Sequence, residues 1–96
     1  MPYFLLYHPR VVDEDLPRLP SNVQHRIAHA IKARLAEALE RHGAPLRRTL
    51  KGYWKLRVGA YRVVYKVARN EVWILGILHR KHAYEIVRGR ADWHPR

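Results

Sequence analysis

The apolar residues of this 96-residue chain repeat with two different periods, and the period changes near the middle of the sequence. In the first half they recur every four residues, which places them on one face of a helix. The residues of this stripe are Val23, Ile27, Ile31, Leu35 and Leu39, with Ala30 and Ala38 between them. From Leu46 onward the period is two, as in β-strands. The sequence therefore predicts a single α+β domain over residues 1–96.

Two helices are predicted ahead of the change in period. The main helix has a capping residue in Pro20-Ser21-Asn22, and Gly43 with Pro45 is typical of a helix end. A shorter helix is predicted within residues 9–19, where acidic residues 13–15 follow a proline and complement the helix dipole. The two would form a hairpin that lies across a sheet.

The remaining apolar segments predict strands. Tyr3 to Tyr7 is apolar on both faces, so we expect this strand inside the sheet. Strand signals over residues 54–58, 61–68 and 72–78 are separated by the turn residues Gly59-Ala60 and Arg69-Asn70, which predicts an antiparallel meander. Residues 79–89 fit either a short helix or an ordered loop, and residues 90–96 are expected to fray.

The composition restricts the function. Lys and Arg number 19 against 8 Asp and Glu, a formal net charge of +11, while 48% of residues are hydrophobic. This indicates a folded cationic module with a polyanionic partner. The absence of cysteine excludes a disulfide scaffold, a thiolate zinc site and a cysteine nucleophile. The apolar run at residues 3–7 is too short for a membrane span or signal peptide, so a cytoplasmic protein without membrane contact is expected.

The positive charge is concentrated in one segment. No acidic residue lies between Glu40 and Glu71, where nine basic residues fall: Arg41, Arg47, Arg48, Lys51, Lys55, Arg57, Arg62, Lys66 and Arg69. Lys55 and Arg57 share one strand face, Arg62 and Lys66 share another, and a hairpin would bring the pairs together. An anion bound between them would relieve their repulsion. The alternative is a solvated sheet face.

Aromatic residues lie among these cations, and exposed aromatics stack on unpaired bases. Trp54, Tyr61 and Tyr65 alternate with the basic side chains and are expected mainly in the core. Tyr84 follows the last strand near Arg80 and Lys81, outside the packing pattern, and is a better candidate for stacking.

Two segments carry a resemblance to a known family. LKGYWKLRVGAYRVVY at residues 50–65, followed by ILGILHRKHAY at residues 74–84, resembles the RelE toxin family of the RelE/ParE superfamily. The resemblance covers nearly the whole chain and agrees with the order of strand, helix hairpin and meander. It implies a ribosome-dependent endoribonuclease that cuts mRNA without a metal or other cofactor and is held inactive by a RelB-like antitoxin.

The resemblance also implies roles for individual residues. Lys55 matches a strand lysine used in proton transfer, Arg62 an arginine that contacts the scissile phosphate, and Arg80 a later active-site arginine. Tyr84 matches a tyrosine that stacks on a base. Tyr53 stands where the best-studied branch has a second lysine. The further cations expected to bind RNA are Arg47, Arg48, Lys51, Arg57, Lys66 and Lys81.

The chemistry agrees with these residue types. Attack of a 2′-OH on the adjacent phosphate needs a proton acceptor, charge stabilisation and help for the leaving 5′-oxygen. Arg62 and Arg80 can bind the nonbridging oxygens. Lys55 can accept the proton only where nearby cations disfavour its charged form, and His79 and His82 are rivals because imidazole titrates near neutrality. The base stays open among these three.

Other functions remain open at this stage. A ParE-like inhibitor of DNA gyrase shares the fold without nuclease activity, and a degenerate relative would only bind antitoxin or RNA. A metal site is a weak hypothesis, because His25 with His29, and His79 with His82, have helical or loop spacing but no nearby carboxylate.

Overall fold

The structure, a computed structural model, describes residues 3–36, 44–45 and 52–95. The strands are β1 (Phe4–Tyr7), β2 (Ala44–Pro45), β3 (Tyr53–Val58), β4 (Tyr61–Ala68) and β5 (Glu71–His79). The helices are α1 (Ser21–Ala30) and α2 (Ala83–Arg88). Two helical turns, Val11–Asp15 and Leu16–Arg18, precede α1, and Ile31–Ala36 extends it with wider, π-type hydrogen bonding.

The strands form one five-stranded sheet in the order β1-β5-β4-β3-β2. The predicted meander is confirmed, because β3, β4 and β5 pair antiparallel through short turns. The turn residues Gly59 and Arg69 have φ angles of 59° and 58°, which tight hairpin turns require. A register shift between Val64 and Tyr65 interrupts the β4–β5 ladder. The fold is α+β, as the sequence predicts.

The position of β1 differs from the expectation. The strand lies at the border of the sheet and pairs parallel with β5, with Leu5 beside Val72. The apolar side chains of β1 are therefore not all buried, and that of Phe4 is 67% exposed. The expectation of an interior strand was wrong, because residues that are apolar on both faces can also belong to an edge strand with one unpacked position.

The main core lies between α1 with its extension and one side of the sheet. Ile27, Ile31 and Leu35 of the predicted stripe are buried against side chains of β3, β4 and β5. Burial of each such side chain contributes about 1.5–3 kcal/mol. The Gln24 side-chain amide donates to the carbonyl oxygens of Leu16 and Leu19 at 2.6 and 3.0 Å, and this fixes α1 to the preceding turn.

The ends of α1 differ in detail from the prediction. The helix begins at Ser21, so Ser21 and Asn22 are helical rather than capping, and Pro20 at the N-cap makes no side-chain hydrogen bond to the helix. The predicted helix end at Gly43 lies outside the described residues. Pro45, expected only to stop the helix, belongs to β2, which pairs with β3 and was not predicted.

Residues 90–95 are packed against the rest of the protein, which corrects the expectation that this segment frays, and Arg96 lies outside the described residues. Within 79–89, where helix and loop were both open, α2 forms. Arg90 is then buried against Asp15, and Trp93 packs on His8 and Trp73 with ring centroids 5.0 and 6.1 Å apart. Among the described residues, no helix has the length and apolar character that a membrane span requires.

Candidate nucleic-acid interface

The strand register places four predicted site residues on one side of the sheet. Arg57 pairs directly with Arg62, Lys55 pairs with Val64, and Lys66 pairs with Tyr53. Directly opposed residues of an antiparallel pair share a face, so Lys55, Arg57, Arg62 and Lys66 all lie opposite the side that packs on α1. We call these four residues the basic face. The sequence expectation that the hairpin joins the two pairs is confirmed.

Arg62 occupies the middle of this arrangement. Its Nη1 donates to the carbonyl oxygens of Gly59 and Tyr61 at 3.0 and 2.8 Å. These bonds hold the guanidinium at the β3–β4 turn, directly across from Arg57. Two like charges at directly opposed positions destabilise a hairpin, and an anion bound between them would remove that cost.

Arg80 follows β5 and approaches the same region. Its backbone N–H donates to the Ala60 carbonyl at 2.9 Å, which continues the β4–β5 pairing one step beyond the strand. Leu78 pairs with Arg62, so Arg80 is two residues along from the partner of Arg62. Diagonal positions of this kind lie about 7–8 Å apart, within reach of long side chains. Lys55 is diagonal to Arg62 on the other neighbouring strand.

The histidines are placed differently. His79 pairs with Tyr61, and the two rings meet edge to face with centroids 5.8 Å apart. Since His79 follows Leu78, its strand position faces away from the basic face. The His79 Nδ1 accepts a hydrogen bond from the Lys81 backbone N–H at 3.2 Å, and the ring of His82 lies 6.5 Å from that of His79. The side chains of Lys81 and His82 are exposed.

Lys66 lies between two aromatic rings at the far end of the basic face. Its Nζ is 5.5 Å from the centroid of Tyr53 and 5.6 Å from that of Trp73, within cation–π range. The Tyr53 hydroxyl donates to the carbonyl oxygen of Ala91. Burial, together with the charge of Asp92, raises the pKa of Tyr53 above its ordinary value, so this hydroxyl keeps its proton. Tyr53 thus supports Lys66 and the C-terminal segment.

The other predicted aromatic and basic residues fall into four groups. Tyr61 and Tyr65 pack on the core side, as expected, and burial raises the pKa of Tyr65 to about 12. Trp54 is more exposed than expected, at 37%. Tyr84 belongs to α2, directly after the segment that carries Arg80. The predicted RNA-binding residues Arg47, Arg48 and Lys51 lie outside the described residues.

One arginine next to the turn was not singled out from the sequence. The guanidinium of Arg26 lies against Gly59, on α1 rather than on the hairpin. Arg26 and Arg34 are eight residues apart, which puts them on one helix face, and this spacing was the available signal.

Fold and site together define a small cationic α+β protein that presents guanidinium and ammonium groups from a β-hairpin. The chain matches the family described as ParE toxin of type II toxin-antitoxin system, parDE, over residues 5–84. It therefore belongs to the ParE toxin family, within the RelE/ParE superfamily of type II toxins. A comparison with curated protein sequences gives no significant match.

Solved structures support the assignment. A chain of the toxin–antitoxin complex RelBE2 from Mycobacterium tuberculosis is 30% identical with a TM-score of 0.75, and the match covers 83% of this chain and 93% of that one. The RelB–RelE complex of Methanococcus jannaschii is 23% identical, with a TM-score of 0.63 and coverage of 83% and 95%. A free E. coli RelE variant is 19% identical, with a TM-score of 0.64 and coverage of 95% of both chains. The last two support the fold alone.

Proposed function

We propose that this toxin is a ribosome-dependent endoribonuclease that cleaves mRNA by attack of a 2′-OH on the adjacent phosphate. The observation that carries the proposal is the grouping of two cations at positions diagonal to Arg62, namely Lys55 on β3 and Arg80 one residue beyond the end of β5. One phosphate at this point would be within reach of all three side chains. The ribosome and mRNA of the translating cytoplasm are the partners that this function requires.

The geometry favours a division of roles. Arg62, held by two backbone carbonyls, is oriented before substrate binds and would stabilise the charge that develops on the nonbridging oxygens. Arg80 would stabilise the leaving 5′-oxygen, because a guanidinium donates hydrogen bonds without releasing its proton. Tyr84 would stack on a base beside the scissile bond.

The proton acceptor in this proposal is Lys55. Lys55 shares the basic face with Arg62, whereas the strand position of His79 faces the other side and its Nδ1 already accepts a hydrogen bond. His79, a rival for this role on sequence alone, is therefore the less suitable proton acceptor. His82 follows the strand and lies further along the chain.

A small acidic antitoxin is the proposed protein partner. Structures of RelBE2 and of RelB–RelE contain related folds in complex with antitoxins. The net charge of +11 would attract an acidic segment, and the exposed apolar residues Phe4, Tyr7 and Val12 would receive an amphipathic one. Association should be fast and should slow as salt concentration rises.

The second candidate function is inhibition of DNA gyrase. The match to the ParE toxin family favours it, since the same fold serves both branches of the superfamily. In that case the basic face would contact a protein or DNA surface and no RNA bond would break. The two functions differ in the nucleic acid that is damaged after the toxin is induced.

The experiment is induction of the chain without its antitoxin, followed by mapping of cellular RNA 5′ ends. New ends within translated messages support the nuclease, whereas DNA damage without such ends supports gyrase inhibition. Arg62→Ala and Arg80→Ala should each lower cleavage by about 10²–10³-fold, the usual cost of one charge-stabilising donor. Arg18→Ala, at an exposed arginine remote from the basic face, is the matched control. Full cleavage by both test variants, with folded protein, would remove the proposed site.

A further inference from the structure

A second cationic cleft lies on the other side of the β3–β4 turn. It has a volume of about 410 Å³ and is formed between α1 with its extension and the hairpin. Its lining includes three arginines, Arg26, Arg34 and Arg57, together with His29, and the small residues Ala30 and Ala33 separate the polar residues of the helix. We call this the α1 cleft. None of its helical residues belongs to the proposed catalytic site.

The cleft carries positive charge without a nearby described carboxylate. Its described lining contains no Asp or Glu, and the ion pairs Arg10–Glu14, Arg18–Glu14 and Arg90–Asp15 involve other arginines. Cations that converge in this way repel one another and attract an anion. Arginine is also the side chain best suited to phosphate, because its planar fork can donate two parallel hydrogen bonds.

The β3–β4 turn connects the α1 cleft to the basic face. On one side of Gly59, the Nη2 and Nη1 atoms of Arg26 would lie 3.2 and 3.3 Å from a Cβ built on this glycine. On the other, Arg62 donates to the Gly59 carbonyl at 3.0 Å. Arg57 both lines the cleft and pairs with Arg62. Two guanidinium groups therefore flank a single turn residue.

We propose that the α1 cleft binds a backbone phosphate of single-stranded RNA, on the same strand whose scissile phosphate is assigned to Arg62. This inference rests on the proposed nuclease function and adds a second phosphate site to it. The strand passes over the Gly59 turn, which offers no side chain to obstruct it. Contacts of this kind position RNA without selecting its sequence.

The lining favours nucleic acid over an acidic protein segment. A bound peptide is usually anchored by large apolar or aromatic side chains in fitting pockets. Apart from its three arginines and His29, the described lining of the α1 cleft consists of Ala30, Ala33, Val58 and Gly59. It therefore offers charge and hydrogen-bond donors but little apolar surface for such an anchor.

The test measures binding of the purified toxin to a single-stranded RNA that is 2′-O-methylated throughout, so that it cannot be cleaved. The double variant Arg26→Gln/Arg34→Gln should lower the slope of log affinity against log salt by about 0.7, since the cleft binds one phosphate and each lost phosphate contact on a single strand removes about that much. Arg26→Lys/Arg34→Lys should retain the slope. The control Arg18→Gln/Arg88→Gln removes the same charge at exposed positions elsewhere and should leave the slope nearly unchanged.

Oligonucleotide length provides a second measurement. A dinucleotide with a single phosphate, at the scissile position, cannot fill both sites, so the double glutamine variant should bind it as the unchanged protein does. A several-fold longer oligonucleotide should bind the unchanged protein more tightly than the dinucleotide, and the double variant should lose this advantage. Circular dichroism of the variant checks that a loss is not due to unfolding.

Three results would overturn the inference. The double glutamine variant could show the same salt slope as the control, or its advantage for long RNA could persist. Alternatively, the variant could keep its RNA binding and lose binding of poly-L-glutamate, which would assign the cleft to an acidic protein segment. Failure of the nuclease proposal is recognised separately, by Arg62→Ala and Arg80→Ala variants that keep full cleavage.

Discussion

The guanidinium of Arg90 donates to both carboxylate oxygens of Asp15, at 2.7 and 3.0 Å, inside the protein. The same Asp15 accepts the backbone N–H of Ile77, and Arg90 also donates to the carbonyl of Leu75. The ion pair thereby connects a helical turn near the N-terminus, strand β5 and the C-terminal segment. Because the charges are buried, each depends on the other for compensation.

The first prediction concerns this pair. Asp15→Asn should lower the free energy of unfolding by about 3–5 kcal/mol, because it leaves the Arg90 charge buried without compensation. Urea titration measures the change. Asp13→Asn, at an exposed position of the same turn, should alter stability by less than about 0.5 kcal/mol. The double variant Asp15→Leu/Arg90→Met should recover much of the loss, but not the hydrogen bond to Ile77. Equal stability of Asp15→Asn and Asp13→Asn would contradict the prediction.

The second prediction compares two glycines with positive φ. Gly59 and Gly52 have φ angles of 59° and 85°, so alanine at either position should cost about 1–2 kcal/mol. A Cβ at Gly59 would also press on Arg26, whereas a Cβ at Gly52 meets no described atom within 4 Å. Gly59→Ala alone should therefore weaken binding of long RNA, since Arg26 must move within the α1 cleft. Thermal unfolding and RNA titration of both variants check this, and unchanged stability in both would refute the backbone argument.

The third prediction separates the cations of the basic face. Lys66→Gln should destabilise the protein by about 0.5–1 kcal/mol through loss of its contacts with Tyr53 and Trp73. Arg57→Gln should not destabilise it, because Arg57 faces the like charge of Arg62. In RNA titrations the salt slope should fall by about 0.7 for Arg57→Gln and by less for Lys66→Gln. An equal fall would instead support the sequence interpretation of Lys66 as an RNA ligand.

The fourth prediction concerns the proton acceptor. Lys55→Met should reduce ribosome-dependent cleavage by about 10²–10⁴-fold, the usual contribution of general acid–base catalysis. His79→Gln should have a much smaller effect, because His79 faces away from Arg62. Cleavage rates of a defined message on purified ribosomes measure both. The reverse order of effects would move the role to His79.

The fifth prediction is a pH dependence of stability that originates at His8. Burial, followed by the charges of Arg90 and Arg10, lowers the pKa of His8 below its ordinary 6.5. Its Nδ1 also accepts the backbone N–H of Arg10 at 3.0 Å, which requires that nitrogen to be unprotonated. The unfolded chain therefore binds this proton first as pH falls, so the His8 contribution is present above pH 6.5 and is lost below it. Urea titrations between about pH 5 and 8 give the free energy of unfolding at each pH. The plot of this free energy against pH should have a different slope for the unchanged protein and for His8→Gln. Parallel curves would contradict the assignment.

The sequence could predict the β-hairpins but not every strand that pairs beside them in the sheet. Alternation over residues 53–58 and 61–68, together with the Gly59 turn, sets the register that places Arg57 opposite Arg62. The pairing of β1 with β5 is remote and parallel, and nothing in Tyr3 to Tyr7 specifies whether a second neighbour follows. The local sequence pattern therefore predicted which residues form the basic face, but not which strand lies at the edge of the sheet.

The buried charges show the same limit. Asp15 was interpreted from its local setting as a residue that complements a helix dipole, and Arg90 as part of a frayed segment. The two are 75 residues apart, and no periodicity relates them. The sequence could predict that Arg26 lies on the helix surface. Its contact with Gly59 could not be predicted, because that contact depends on how α1 crosses the hairpin.

The border strand β1 has a consequence for the abundance of the toxin. Its outer side has no neighbour among the described strands, and Phe4 stands exposed beside it. Unpaired backbone N–H and C=O groups at the edge of a sheet can form hydrogen bonds with an extended segment of another molecule, including an identical one. Overproduction of the chain without a covering protein should therefore lead to self-association and precipitation. The ratio at which the toxin and its antitoxin are synthesised should therefore affect the solubility of the toxin.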